Sequence, residues 1–349
     1  MIDEMLSQLS RWLCSDGSDS DIVISSRIRL ARNLSGYPFM TRVTETDRRG
    51  IRDNVHRVVD KIFDGSDFYF VDVDVLPVLD RLYLLERQLI SRELISSTGT
   101  RAALIDKSES FCIMINEEDH LRIHAMQSGF EPEKIWQSLN ELDNKLSENL
   151  RYSFHPLLGY LSTCPTNVGT GMRVSVMLHL PALAITKEIE KVLRGLQKSH
   201  LTVRGLYGEN SRPVGDLYQI SNQITLGKTE MELIDTLRNF VPQVLKFERR
   251  SREFLLREQR EIVLDRCSRA VGLLKTARTI GSVETLHHLS SLRLGVNTGL
   301  IDNITINEVN RLFLNTQPAH LQKILGETLT QNERDIARAK YLRSSLENI

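Results

Sequence analysis

The segment Thr163-Cys164-Pro165-Thr166-Asn167-Val168-Gly169-Thr170-Gly171-Met172-Arg173 holds one thiol, several turn-forming residues, two glycines and a terminal arginine. Glycine lets backbone N–H groups approach and face a ligand. Such a loop can hold an anion and place a reactive sulfur beside it. Arg27 and Arg29 lie two apart in a segment rich in Ile and Val. If Ile22 to Leu30 is extended, both arginines point to one face and form a fork for phosphate oxygens. Taken alone, the pair also fits a solvated basic edge. Glu117, Glu118 and Asp119 follow an apolar strand, with Arg122 close behind. Three acids at a strand end are usually a solvated turn; the apolar strand before them and Arg122 behind place them at the rim of a sheet, where a binding role also fits. Arg204-Gly205-Leu206-Tyr207-Gly208-Glu209 again joins an arginine, glycines and a glutamate.

These pieces suggest one chemistry if the fold gathers them. Arg27, Arg29, Arg122, Arg173 and Arg204 in one cleft would need a polyanion, and a nucleoside triphosphate with Mg²⁺ is a natural one. Two glutamates, Glu118 and Glu209, suit a planar cationic acceptor, because carboxylates grip a guanidinium bidentately. A guanidinium is a poor nucleophile until it loses a proton. A carboxylate held against it can orient one nitrogen and take that proton. Arginines and loop N–H groups around Cys164 would favour its thiolate. Cys164 by itself also fits a buried or loop-lining thiol.

The elements that must position these residues follow from patterning. Apolar residues make up 41% of the 349 residues and charged residues 26%, the balance of an ordinary globular protein. Lys+Arg and Asp+Glu are equal at 45 each, which argues against a general nucleic-acid or membrane-surface binder. The four cysteines form no CxxC pair and no metal-ligand spacing with histidine, so no metal site is expected. No signal peptide and no membrane-spanning run is evident, so a cytoplasmic location is expected. Helices are expected over residues 1–15, 45–64, 76–95, from Pro132 to Leu150 and from Pro181 to Leu196. Strands are expected at 22–30, 68–75, 102–105, 111–116, 201–206 and 215–226, the last with Ile220 and Ile224 on one face. Thr229 with Glu232, Thr305 with Glu308 and Thr330 with Glu333 read as capping boxes. A break is expected at Pro242 and helix stops at Gly295 and Gly326. The fold class is therefore α+β, with a catalytic domain over 1–250 and an all-helical domain over 251–349. Arg334 and Arg338 share a helix face, which also fits a solvated face or a local ion pair.

Ser25-Ser26-Arg27-Ile28-Arg29, Asn116 to Arg122, Cys164 to Gly171 and Arg204 to Glu209 together resemble, in order, the motifs of the ATP:guanido phosphotransferases. Those are the creatine and arginine kinases and their bacterial relatives. Within the family the chain is most similar to the bacterial protein-arginine kinases. Small-guanidine kinases carry a helical domain before the SxRxR motif, whereas Arg27 comes almost at once here. Arg334-Asp335-Ile336-Ala337-Arg338-Ala339 resembles a phosphoarginine-binding RDxxRA motif.

The resemblance implies an antiparallel sheet flanked by helices, plus the C-terminal helical domain with a phosphoarginine-binding and dimerisation role. It implies a homodimer that uses ATP and Mg²⁺. It implies that Glu118 is the catalytic base, with Glu209 its partner and Cys164 the thiolate beside it. The ATP site would comprise Ser25, Ser26, Arg27, Ile28, Arg29, Arg122, Arg173, Val174, Ser175, Val176, Met177, Arg204, Gly205, Leu206, Tyr207, Gly208 and Glu209. The phosphoarginine site would comprise Arg334, Asp335, Arg338 and Ala339. Implied partners are protein substrates with accessible arginines, a Clp-type ATPase and protease, a heat-shock repressor and a zinc-binding activator protein. Two departures stand out. Leu89-Ile90-Ser91 is followed by Arg92 and Glu93, where many relatives have a histidine touching the nucleotide. Tyr207 stands where small-guanidine kinases have a basic residue. A kinase of a free guanidine such as L-arginine, and a phosphoarginine-binding adaptor with weak activity, are the alternatives.

Overall fold

A computed structural model of the chain describes residues 1–63, 67–205 and 213–347. Among these, strands β1 (Val23–Arg32), β2 (Phe68–Asp72), β3 (Ala102–Asp106), β4 (Phe111–Ile115) and β5 (Leu121–Ser128) form the first part of one sheet. Two short strands, β6 (Phe154–His155) and β7 (Gly159–Tyr160), make a separate hairpin. The large sheet is completed by β8 (Met172–His179), β9 (Leu201–Arg204) and β10 (Leu217–Asn222), in the order β2-β3-β4-β5-β1-β8-β10-β9. All its pairings are antiparallel.

β1 is central, and its register decides the rest. Arg29 lies opposite His124 of β5 and Arg173 of β8, while Arg27 lies opposite Met126 and Ser175. Side chains alternate along a strand, so these residues and Arg122 share one face. Ile28, Leu30, Ile123, Val174 and Val176 share the other, where each is fully buried. That apolar face packs under the helices Glu45–Ile62 and Pro132–Ser147 and the first half of Glu230–Glu258. Each such side chain contributes about 1.5–3 kcal/mol on burial. The packing thereby holds the opposite, charged face in place.

Several elements differ from expectation. β5 was not anticipated, because its alternate residues Arg122 and His124 are polar yet face away from solvent, Arg122 into a cleft and His124 buried beneath it. The helix expected over 76–95 is two, Val78–Glu86 and Arg92–Ser96, divided at Gln88, whose φ is 62°. The helix from Pro181 likewise divides, at Lys187 with φ 60°. Residues 1–15 form the short helix Ile2–Ser7 and a 3-10 turn, Arg11–Leu13. Glu230–Glu258 continues through Pro242, which lies on its exposed side, where water can satisfy the freed carbonyl. Gly295 sits inside the helix Ser282–Asn297, two residues before its end, and its lack of a side chain serves packing, since a Cβ there would meet the Ile301 side chain at 2.7 Å. Ile224 lies beyond β10 and is exposed. The capping boxes at Thr229, Thr305 and Thr330 and the left-handed Gly326 cap are formed.

The helical region follows without a break in the chain's structure, since Glu230–Glu258 runs across residue 250. Its helices pack a second core, including Leu286, Leu289, Leu312 and Phe313, against Trp12, Ile24, Met126 and Met177 of the sheet side. Glu86, at the end of Val78–Glu86, accepts hydrogen bonds from the Ala319 and His320 N–H groups at 2.8 and 2.9 Å. It thus caps the helix Pro318–Leu325. Among the described residues no helix is long and apolar enough to cross a membrane.

Below the charged face, Arg32 is buried and donates to Asp143 at 2.8 and 3.1 Å and to the Ala31 and Thr170 carbonyls at 2.9 Å. Its guanidinium stacks 3.6 Å from the Tyr160 ring centroid. It therefore ties the sheet to the loop after β7. Asp143→Ala would strand this buried charge, and we expect a loss of about 3–5 kcal/mol, read by urea unfolding. A loss below about 1 kcal/mol would mean that the carbonyls and Tyr160 suffice.

Candidate active site

The charged face of the sheet forms the floor of a cleft of about 570 Å³. Arg27, Arg29, Arg122, Arg173 and Arg204 line it together with Glu118 and Cys164. Residues separated by up to 177 positions in the chain, from Arg27 to Arg204, thus meet because β1, β5, β8 and β9 belong to one sheet. Ser91, Arg92 and Glu93 form one rim, and Thr166 and Asn167 the other.

The acid and the thiol are placed by one tight turn and one loop. Asn116 adopts a left-handed conformation, φ 61°, which asparagine tolerates. Its Nδ2 donates to the Arg48 and Thr100 carbonyls at 2.9 Å. Glu117 and Glu118 then reach Arg122 from two sides, each at 2.6 Å. Ser91 donates to the Glu117 carboxylate from the rim. Asp119, fully buried, turns away from the cleft towards the thiol loop. It accepts from Asn33 Nδ2 at 2.6 Å, from the Thr163 N–H at 2.7 Å and from Ser162 Oγ at 2.8 Å. Glu118 and Cys164 are thereby tied to one buried carboxylate. Cys164 Sγ lies 3.1 Å from Thr166 Oγ1.

The glycines of this loop serve packing. A Cβ on Gly169 would meet the Thr225 carbonyl oxygen at 2.5 Å, and one on Gly171 the Ala31 oxygen at 2.6 Å. The Gly169 N–H donates to the Tyr160 carbonyl at 3.3 Å, so it is turned to the hairpin. Close backbone approach, with φ of 115° and 63°, is what excludes side chains here.

Electrostatically the floor is loaded with positive charge. Burial lowers the Arg27 pKa to about 10, with Arg122 adding to the effect. Arg29 is pushed well below its ordinary value by burial and then by Arg27, Arg122 and Arg173. For Arg122 burial acts in the same sense, yet Glu117, Glu118 and Asp119 hold it above its usual value. Arg27 Nε is buried and has no hydrogen-bond partner. Such an orphan donor costs about 1–3 kcal/mol. An oxyanion over the arginines would relieve the repulsion. Among the described residues no group of three or more His, Cys, Asp or Glu side chains is placed to hold a metal ion.

The remaining expected residues divide. Ser25, Ser175 and Met177 line a small pocket at the end of the cleft, which shares Arg27, Gln88 and Gln219 with it. Ile28, Val174 and Val176 face the apolar core, and Ser26 Oγ donates to the Gly129 carbonyl at 2.8 Å. Gly205 is buried at the end of β9. Leu206, Tyr207, Gly208 and Glu209 lie outside the described residues. In the helical region, Arg338 is buried and donates to the Thr316 and Ile280 carbonyls at 2.8 Å and to Asp335 at 2.5 Å. Ala339 is in the core, while Arg334 and Asp335 are half-buried. Sequence reasoning missed Asp119's anchoring role, and it missed His124 and Gln219. For His124 the signal was available: it lies two residues beyond Arg122, hence on the same face.

Comparison with known proteins adds the following. Residues 50–251 match the family model for the ATP:guanido phosphotransferase C-terminal catalytic domain. Residues 260–349 match that of the protein-arginine kinase McsB C-terminal domain. The protein-arginine kinase of Halothermothrix orenii is 42% identical over 97% of this chain and 97% of its own length. That of Clostridium novyi is 43% identical over 98% and 99%. Among solved structures, lombricine kinase superposes with a TM-score of 0.60 at 25% identity, over 70% of both chains. A duplicated taurocyamine kinase from Schistosoma mansoni shares the fold, with a TM-score of 0.61, over 78% of this chain and 40% of its own.

The Asp119 anchor makes a test. Asp119→Ala removes an acceptor from three donors, and we expect the thiol loop to loosen. Alkylation of Cys164, followed by peptide mass spectrometry, should accelerate roughly tenfold, as for a local opening about 1.4 kcal/mol easier. An unchanged rate would show that the loop is held without Asp119.

Proposed function

Since the chain belongs to the ATP:guanido phosphotransferase family, we propose that it is a protein-arginine kinase. It transfers the γ-phosphoryl group of ATP to the guanidinium of arginine residues in proteins. The observation that carries this reading is the meeting of five arginines, Glu118 and Cys164 in one cleft. The name and near-complete coverage of the relatives support protein arginine as the acceptor. Phosphoryl transfer needs positioning and charge neutralisation above all, and this cleft offers both.

In this reading Arg27, Arg29, Arg122, Arg173 and Arg204 hold the triphosphate. Mg²⁺, carried on the phosphates, adds neutralising charge. Glu118 has one oxygen on Arg122 and a second for the acceptor. It takes a proton from the guanidinium nitrogen as that nitrogen forms its bond to the γ-phosphorus. The bond to the bridging oxygen breaks and ADP leaves. Cys164, as thiolate, holds and polarises the guanidinium from the other side. Glu209 completes the grip. Backbone along 25–29, 173–177 and 204–209 lines the nucleotide. The unit 251–349 is the phosphoarginine-binding and dimerisation part, with Arg334 and Asp335 as the ligand-facing pair and Arg338 and Ala339 as its frame. A homodimer acting in the cytoplasm, with a Clp-type ATPase and a zinc-binding activator, completes the proposal. Its phosphorylation of a heat-shock repressor inactivates that repressor.

The decisive experiment incubates the protein with ATP, Mg²⁺ and an unstructured arginine-rich protein, beside free L-arginine. Acid-labile phosphate on protein arginine, with free arginine untouched, is expected. Transfer to free arginine alone would overturn the acceptor assignment. Glu118→Gln should lower kcat by about 10²–10⁴, the usual worth of a general base. Retained turnover would remove Glu118 from that role. Arg334→Ala should weaken phosphoarginine binding and leave kcat near that of the parent, measured by calorimetry and by turnover.

A further inference from the structure

We propose that His124 is a positioning residue for the nucleotide, holding Arg27 as a charged clamp for a phosphate oxygen. The inference rests on the reading of the cleft as an ATP site. His124 lies on β5, almost fully buried beneath the cleft, with its Nδ1 3.3 Å from Arg27 Nη2. The two residues are diagonal neighbours across β1 and β5, since His124 is opposite Arg29 and Arg27 is opposite Met126.

A guanidinium only donates. Nδ1 must therefore be the bare nitrogen, with the proton on Nε2, a tautomer assigned from this geometry. Burial, and then Arg27, Arg29 and Arg122, press the ring's pKa well below its ordinary value, which keeps Nδ1 an acceptor.

The choice of acceptor matters for charge. Arg122 is gripped by two carboxylates, Glu117 and Glu118, so its charge is answered within the protein. Arg27 is gripped by an uncharged ring. It is oriented without being neutralised, and its full charge remains for an incoming anion. Its Nε, too, has no acceptor within the protein, so no carboxylate answers the charge from that side. A carboxylate at position 124 would orient Arg27 equally well but would cancel the charge that the phosphate needs.

Two variants of equal size isolate the hydrogen bond. Asparagine places Oδ1 near the position of His Nδ1, and leucine places a methyl group there. His124→Leu should weaken Mg·ATP binding about tenfold relative to His124→Asn, by isothermal titration calorimetry. Adenosine, which lacks phosphates, should bind both variants equally. At saturating ATP their kcat values should agree within about twofold, so the loss appears in KM. Thermal midpoints of the two variants report whether both are folded. If leucine is not tolerated, His124→Thr and His124→Val provide the same contrast. Equal ATP affinity in the two variants would overturn the assignment, as would a parallel loss of adenosine binding. If the parent protein itself fails to bind Mg·ATP, the reading of the cleft fails first, and that result is distinct from the other two.

Discussion

Repulsion among the guanidinium groups of Arg27, Arg29, Arg122 and Arg173 is the constraint to which the surrounding structure responds. Neighbouring positive charges in a half-buried cleft oppose folding unless something else holds them. The force that does so is on the other side of the sheet. Ile28, Leu30, Ile123, Val174 and Val176 alternate with the arginines along the same strands and are fully buried under three helices. Pulling an arginine out of the cleft would require moving the strand, and with it the apolar residues. The sheet thus keeps the charges together until an anion arrives. This is preorganisation, since the reorganisation needed for charge stabilisation is already complete in the folded protein.

The arginines are not equivalent. Arg122 is compensated by Glu117 and Glu118, and it holds Glu118 at the cleft. Arg27 is oriented by His124 and keeps an unpartnered Nε. Arg32, at the far end of β1 and on its other face, is neutralised by Asp143 and has become part of the frame. Two neighbouring strands, β1 and β5, therefore carry arginines in three electrostatic states, set by the side chain each one contacts.

The acid and the thiol depend on buried polar groups rather than on the apolar core. Asp119 gathers Asn33, Ser162 and the Thr163 N–H, and His120 accepts from the Leu34 N–H at 2.9 Å. These bonds join β1, the turn before β5 and the thiol loop into one unit. On the far side, Glu86 caps a helix of the C-terminal region, and the segment just after Glu86 forms the Ser91–Glu93 rim. The helical region and the cleft rim thus share one short stretch of chain.

Local sequence determined much of this protein by itself. The apolar alternation of β1, the capping boxes and the helix Pro132–Ser147 are short-range patterns, and they are present where the sequence placed them. The four motifs contribute Arg27, Arg29, Glu118, Arg122, Cys164 and Arg204 to the cleft lining, while Arg173, Ser91, Glu93 and Gln219 come from outside them. Tertiary structure alone decided the rest. β5 reads as a broken pattern until it is seen that its polar face is the floor of a cleft. The breaks at Gln88 and Lys187 depend on where each following segment must pack, which no local propensity encodes. Pro242 ended nothing, because its freed carbonyl faces water. His124 and Asp119 acquired their roles from strands and loops distant in sequence. Hydrogen bonds of that kind arise only when the sheet order and register are set, and register is a property of the whole sheet.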